Sequence, residues 1–114
     1  MLHRSVMDMI VIATRLEALG NPTRLAIYRA LVRAGAAGLP VGKLQERLAI
    51  PASTLSHHLA KLCGCDLVSQ TRESTVLRCR ANYQVMRDLV GALEDECCAD
   101  AACGADVGTD AAVA

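Results

Sequence analysis

Pro51-Ala-Ser-Thr-Leu-Ser-His-His-Leu-Ala-Lys-Leu62 is the stretch on which the reading of this chain turns. Proline fits the first turn of a helix, where a missing N–H costs nothing. Leu55, Leu59 and Leu62 recur at helical spacing and form one inward apolar stripe. At about 100° per residue, Ser53, His57 and Lys61 fall on the opposite face, flanked by Thr54 and Ser56. His58 turns back toward the leucines and reads as packing. Short hydroxyls at the amino end, then an imidazole and an ammonium, suit a DNA major groove. Hydroxyls bond base edges or phosphates without bulk, and the cation attracts phosphate. The same pattern describes an amphipathic helix whose polar face only meets water, so its neighbours decide.

Just upstream, Val41, Leu44 and Leu48 mark a short helix joined to this one through Ala49-Ile50-Pro51. Two short helices so closely linked, the second bearing the exposed polar face, predict a helix-turn-helix. Gly35–Pro40 reads as a loop by its glycines and proline. Before it, Asn21 caps a helix with Pro22 at its first position, and Leu25, Tyr28, Leu31 and Val32 share a face. A first helix, lined by Met9, Ile10, Ala13, Leu16 and Leu19, opens on a weak capping box, Ser5 to Asp8.

Downstream, Leu67–Gln70 and Thr75–Arg80 are β-rich and alternate, with Thr71–Ser74 between them. This predicts a hairpin, or wing, whose tip presents Arg72 to a phosphate or a minor groove. The tip lacks the glycine that tight hairpins favour. Asn82 caps a final helix with Val85, Met86, Leu89, Val90 and Leu93 on one side. So long a stripe on the last helix of a small domain, taken with the first helix, predicts a two-fold dimer interface. The expected fold class is mainly α with a small β-hairpin, a winged helix-turn-helix dimerising through its first and last helices. Residues 1–98 form that DNA-binding and dimerisation domain. Residues 99–114, rich in Ala and Asp, form a flexible tail that carries Cys103.

The 114 residues suffice for one modest domain. Net charge is zero but segregated. Residues 1–80 hold eleven Lys or Arg against five acids, a net +6, and residues 81–114 hold one Arg against seven acids, a net −6. A basic body is the electrostatic footprint of DNA contact. With no Phe or Trp and two Tyr, stacking platforms for single strands or RNA are missing. Six cysteines without a secretory signal point to reduced thiols in a cytoplasm. Met9–Ala13 is too short for a membrane span, so a soluble, cytoplasmic protein with no membrane partner is expected.

The order helix, helix, helix-turn-helix, wing, helix resembles the ArsR/SmtB family of winged-helix metal-responsive repressors. The residues that carry the resemblance are Leu16-Glu-Ala-Leu-Gly-Asn-Pro-Thr-Arg-Leu25 and Ser53-Thr-Leu-Ser-His-His-Leu59, and it covers residues 7–98. The resemblance implies a homodimer on a palindromic double-stranded operator, displaced when an inducer binds. It leaves the inducer open, because family sites sit in several places.

Glu96-Cys97-Cys98-Ala-Asp-Ala-Ala-Cys103 addresses the inducer. Adjacent residues on an intact helix point about 100° apart, so Cys97 and Cys98 share an ion only if the helix ends there. Glu94, Asp95 and Glu96 favour that ending, since they place acids where the helix dipole prefers cations. Small residues then let Cys103 fold back, and three soft donors surround one soft centre. Trivalent arsenic or antimony wants three sulfurs, whereas zinc wants four ligands and finds no clear fourth beyond Asp100. The vicinal cysteines with a third downstream resemble the arsenite-responsive branch of the family, although the spacing to Cys103 is not a strict signature. As(III) or Sb(III) is thus the expected inducer, with no organic cofactor, and a thiol-redox or sulfur-species sensor of the same fold is the alternative.

Leu62-Cys63-Gly-Cys65-Asp-Leu67 is similar to an arsenic site of other family members, but there the string lies in the first helix of the helix-turn-helix. Here it follows the second, so Cys63 and Cys65 read as structural, as does Cys79 on its strand. The family's zinc site between C-terminal helices needs imidazoles there, and the only histidines are His3, His57 and His58. An arsenate reductase needs a cysteine with an arginine six residues on. Cys65 meets Thr71 and Cys79 meets Val85 at that distance, so no enzyme is expected.

Overall fold

A computed structural model describes residues 6–101, whose order is α1 Val6–Leu19, α2 Pro22–Ala34, a 3-10 turn Gly35–Ala37, β1 Leu39–Pro40, α3 Val41–Leu48, α4 Ala52–Gly64, β2 Val68–Glu73, β3 Val76–Ala81 and α5 Tyr83–Glu94. The proposed Ser5 cap lies outside the described residues. Both asparagine caps form: the Asn21 side chain accepts from the Arg24 N–H at 3.0 Å and Asn82 from Val85 at 3.3 Å. Pro51 stands one position earlier than expected, as the residue before α4, and its carbonyl accepts from Leu55.

The leucine stripe of α4 is the floor of the core. Leu55, Leu59 and Leu62 are buried against Ile27 and Leu31 of α2, Leu44 of α3, and Leu67 and Cys79. With tyrosine as the sole aromatic, aliphatic packing carries the interior, and Tyr83 fastens α5 to α2 by donating to the Val32 carbonyl at 3.0 Å. Leu25 departs from the expected face. It is exposed, and Ile27 takes the buried place.

The sheet differs from a bare hairpin. Three strands run antiparallel in the order β1-β3-β2, with Leu39 opposite Cys79 and Val68 opposite Ala81. Part of the Gly35–Pro40 loop is therefore a strand. Strand β2 also runs on through Thr71, Arg72 and Glu73, so the turn is Ser74-Thr75, between Glu73 and Val76. Ser74 adopts φ 61°, the left-handed conformation that a two-residue hairpin turn demands, without a glycine.

Gly38 lies where β1 meets β3, at φ 66°, and a Cβ there would collide with the Cys79 carbonyl oxygen. Glycine is required at this crossing for close approach as much as for backbone angle.

Helix α1 has two apolar sides. Ile12, Ala18 and Leu19 pack on the core, whereas Met9, Ile10 and Leu16 stay exposed, at 58%, 52% and 40%. On α5 only Leu89 is buried, Val85 and Met86 pack at its margin, and Val90 and Leu93 face outward. No helix among the described residues is long and apolar enough to cross a membrane.

Candidate nucleic-acid interface and thiol site

Burying its leucines fixes what α4 shows outside. Ser53, Ser56 and His57 are exposed and Thr54 half-buried, in agreement with the polar face expected of them. Ser56 opens onto a groove of about 360 Å³ between α3, α4 and the wing, which Gln45 and Gln70 also line. These two amides extend the polar surface beyond the residues singled out from sequence.

Two expected contacts are arranged differently. Lys61 is exposed and pairs with Glu17 of α1 at 3.2 Å, a water-open contact that a phosphate can replace. Arg72 sits within β2 opposite Leu77, just short of the turn, and forms no ion pair among the described residues. Its neighbours do the reverse. Glu73 accepts from Arg78 at 2.9 Å and Arg80 at 3.3 Å, and these bonds hold its carboxyl below the usual carboxylate range. Arg78 and Arg80 also donate to the carbonyls of Ala37 and Ala36, which spends them on anchoring the wing. Arg72 is left as the wing's outward charge.

His58 is half-buried, and its Nδ1 lies 3.4 Å from the Arg24 guanidinium. Burial first, then Arg24 and His57, hold its pKa below the ordinary 6.5. Nδ1 accepts from Arg24 only while unprotonated. The unfolded chain binds this proton more readily, so the contribution to stability is complete above 6.5. It falls as pH drops from there toward the folded value. His58→Gln should show a shallower decline of Tm than wild type between pH 7 and pH 5, measured by thermal melts in matched buffers.

Helix α5 ends at Glu94, ahead of the cysteines. Residues 95–100 form successive turns, with Glu96 at φ 62° and Cys98 at φ 64°. Adjacent thiols that a helix would hold apart thereby meet, with Cys97 Sγ 3.7 Å from Cys98 Sγ, the first exposed and the second half-buried. Contact with Cys97, then burial, pushes the Cys98 thiol pKa up. Cys103 lies outside the described residues, as does the tail from residue 102. Among the described residues no three potential metal ligands cluster.

The other thiols are elsewhere. Cys65 and Cys79 are buried and Cys63 half-buried, and burial raises the pKa of Cys63 and of Cys79. Gln70 donates to Cys79 Sγ at 3.5 Å. These are packing positions at the junction of α4 with the sheet.

A helix-turn-helix domain family matches residues 19–71. The nodulation protein NolR of Rhizobium meliloti is 34% identical over 88 residues, which span 77% of this chain and 70% of NolR. An ArsR-like transcriptional regulator from Rhodococcus sp. RHA1 superposes with a TM-score of 0.67 at 27% identity, over 75% of this chain and 78% of its own. The homodimeric winged helix-turn-helix DNA-binding domain of Mb0332 from Mycobacterium bovis, a possible ArsR-family regulator, superposes at 0.66 with 25% identity, over 84% of this chain and 92% of its own.

Proposed function

The chain belongs to the ArsR family of winged-helix transcriptional regulators, and from that premise we propose that it is a homodimeric repressor released from its operator when As(III) or Sb(III) is captured by Cys97, Cys98 and Cys103. Members of this family regulate transcription by binding DNA and are not enzymes.

The observation that carries the metalloid reading is the contact of Cys97 and Cys98 beyond the end of α5. A sulfur-only donor set favours soft centres. Three sulfurs complete a trivalent arsenic or antimony centre, whereas zinc wants four ligands. Each As–S bond forms as the thiol proton leaves with an arsenite hydroxyl as water. Cys103, five residues after Cys98, supplies the third sulfur.

The exposed stripes of α1 and α5 support the dimer. Met9, Ile10 and Leu16 of α1 and Val90 and Leu93 of α5 are exposed, and a second copy offers the same stripes about a two-fold axis. That symmetry sets two α4 helices about one DNA turn apart, ~34–36 Å. Ser53, Thr54, Ser56 and His57 then face base edges while Arg72 reaches a phosphate or minor groove, so affinity should fall steeply with salt. Ser56→Ala is expected to weaken operator binding about tenfold in fluorescence anisotropy and to leave arsenite uptake unchanged.

The same thiol contact favours one second reading, a repressor switched by oxidation of Cys97 and Cys98. Intact-mass spectrometry separates the two. Arsenite release accompanied by one bound arsenic per chain supports the first reading. Release by an oxidant with loss of two hydrogens, and none by arsenite, supports the second.

A further inference from the structure

His58 and Lys61 of α4 and Cys65, the residue that caps its carboxyl end, are all held by α1 or the start of α2. Arg24 meets His58 at 3.4 Å, Glu17 meets Lys61 at 3.2 Å, and Arg15 Nε donates to the Cys65 carbonyl at 2.9 Å. The three ties are unequal. The Glu17–Lys61 pair is open to water, with side chains 63% and 40% exposed, and pairs of that kind contribute little. The Arg24–His58 contact is long. The Arg15 side chain is 19% exposed and gives a charge-assisted bond to a carbonyl at the negative end of the α4 dipole. Its Nη2 lies 3.8 Å from Asp66, a weaker addition because Asp66 is 74% exposed.

We infer that Arg15 is the positioning residue that aims the reading helix, by gripping the carboxyl end of α4 from α1. Helix α1 carries Met9, Ile10 and Leu16 on its outward side, the side given above to a second copy. One helix thus touches the partner with one side and the reading helix with the other. The spacing of the two reading helices passes through a guanidinium that contacts neither DNA nor partner in this role. The inference rests on the reading of α4 as the DNA-reading helix.

The test compares two duplexes, an operator selected from a random pool by wild-type protein and a scrambled sequence of the same length. Arg15→Gln should lower operator affinity about tenfold and leave scrambled-duplex affinity unchanged, because phosphate contacts survive a misaimed helix and base contacts do not. Arg15→Lys, which keeps a cation able to reach one carbonyl, should fall between wild type and Arg15→Gln. Asp66→Asn should match wild type. Should Arg15→Gln fail to fold, Arg15→Lys carries the comparison, and its operator-to-scrambled ratio must lie below that of wild type. An unchanged ratio, or equal losses on both duplexes, overturns the inference. Ser56→Ala separates the two claims. A drop there with none in the Arg15 variants overturns the clamp and spares the reading face, whereas no drop in any variant overturns both.

Discussion

Cys97→Ser should hold operator DNA as tightly as wild type, yet remain bound at arsenite concentrations that strip wild type from it. The substitution exchanges one atom on an exposed turn beyond α5, remote in sequence from the reading face, so neither stability nor DNA affinity should move. What changes is the donor set. Even outer-shell partners of a metal ligand are worth 10–100-fold in affinity. Loss of one of three sulfurs should therefore raise the arsenite needed for half-release by at least about a hundredfold. That is about 2.7 kcal/mol, more than the ~1.4 kcal/mol of coupling that a tenfold loss of operator affinity requires. Titrating arsenite into operator-bound protein, followed by anisotropy, gives the result directly. Full release of Cys97→Ser at the wild-type midpoint would remove Cys97 from the site. Cys98→Ser should behave alike, because its sulfur lies 3.7 Å from that of Cys97.

Helix caps and the α4 stripe were legible in the sequence of this chain, whereas long-range pairings were not. Asn21 and Asn82 each cap a helix through a bond to the residue three positions on, which a sequence displays directly. Leu55, Leu59 and Leu62 declare their face by spacing alone, and all three are buried. Strand β1 could not be read in the same way. It has two residues, and its partners Cys79 and Arg78 lie about forty residues further on. The turn at Ser74-Thr75 escaped because a serine, not a glycine, takes the positive φ. Periodicity also failed to say which apolar residues face the interior. Met9, Ile10 and Leu16 obey helical spacing as well as Ile12 and Leu19 do, but only the latter two pack on the core. Of the candidate site residues, the polar face of α4 was legible, since the buried leucines dictate its opposite. That Lys61 is held by Glu17 was not, because the pairing spans 44 positions between two helices whose packing no local pattern encodes.

Gly38→Ala is expected to destabilise the fold by about 3 kcal/mol or more, from two separable sources. The first is the backbone. At φ 66° and ψ −160° an L side chain is strained whatever surrounds it. The second is space. The new methyl would enter the Cys79 carbonyl and crowd Arg80 Cγ, and the carbonyl cannot withdraw without parting β1 from β3. Gly35 provides the control, because it has nearly the same backbone angles, φ 79° and ψ −163°, and nothing within 4 Å of its would-be Cβ. Gly35→Ala therefore carries the strain without the collision, and the difference between the two variants measures the collision alone. For a domain of this size each kcal/mol moves Tm by roughly 4–8 °C, so Gly38→Ala should melt on the order of 15 °C below wild type and well below Gly35→Ala. Equal melting points for the two variants would mean that the crossing of β1 and β3 yields readily. The wing that Arg78 and Arg80 tie to the Ala36 and Ala37 carbonyls would then be anchored by its side chains and not by the close approach of its backbone.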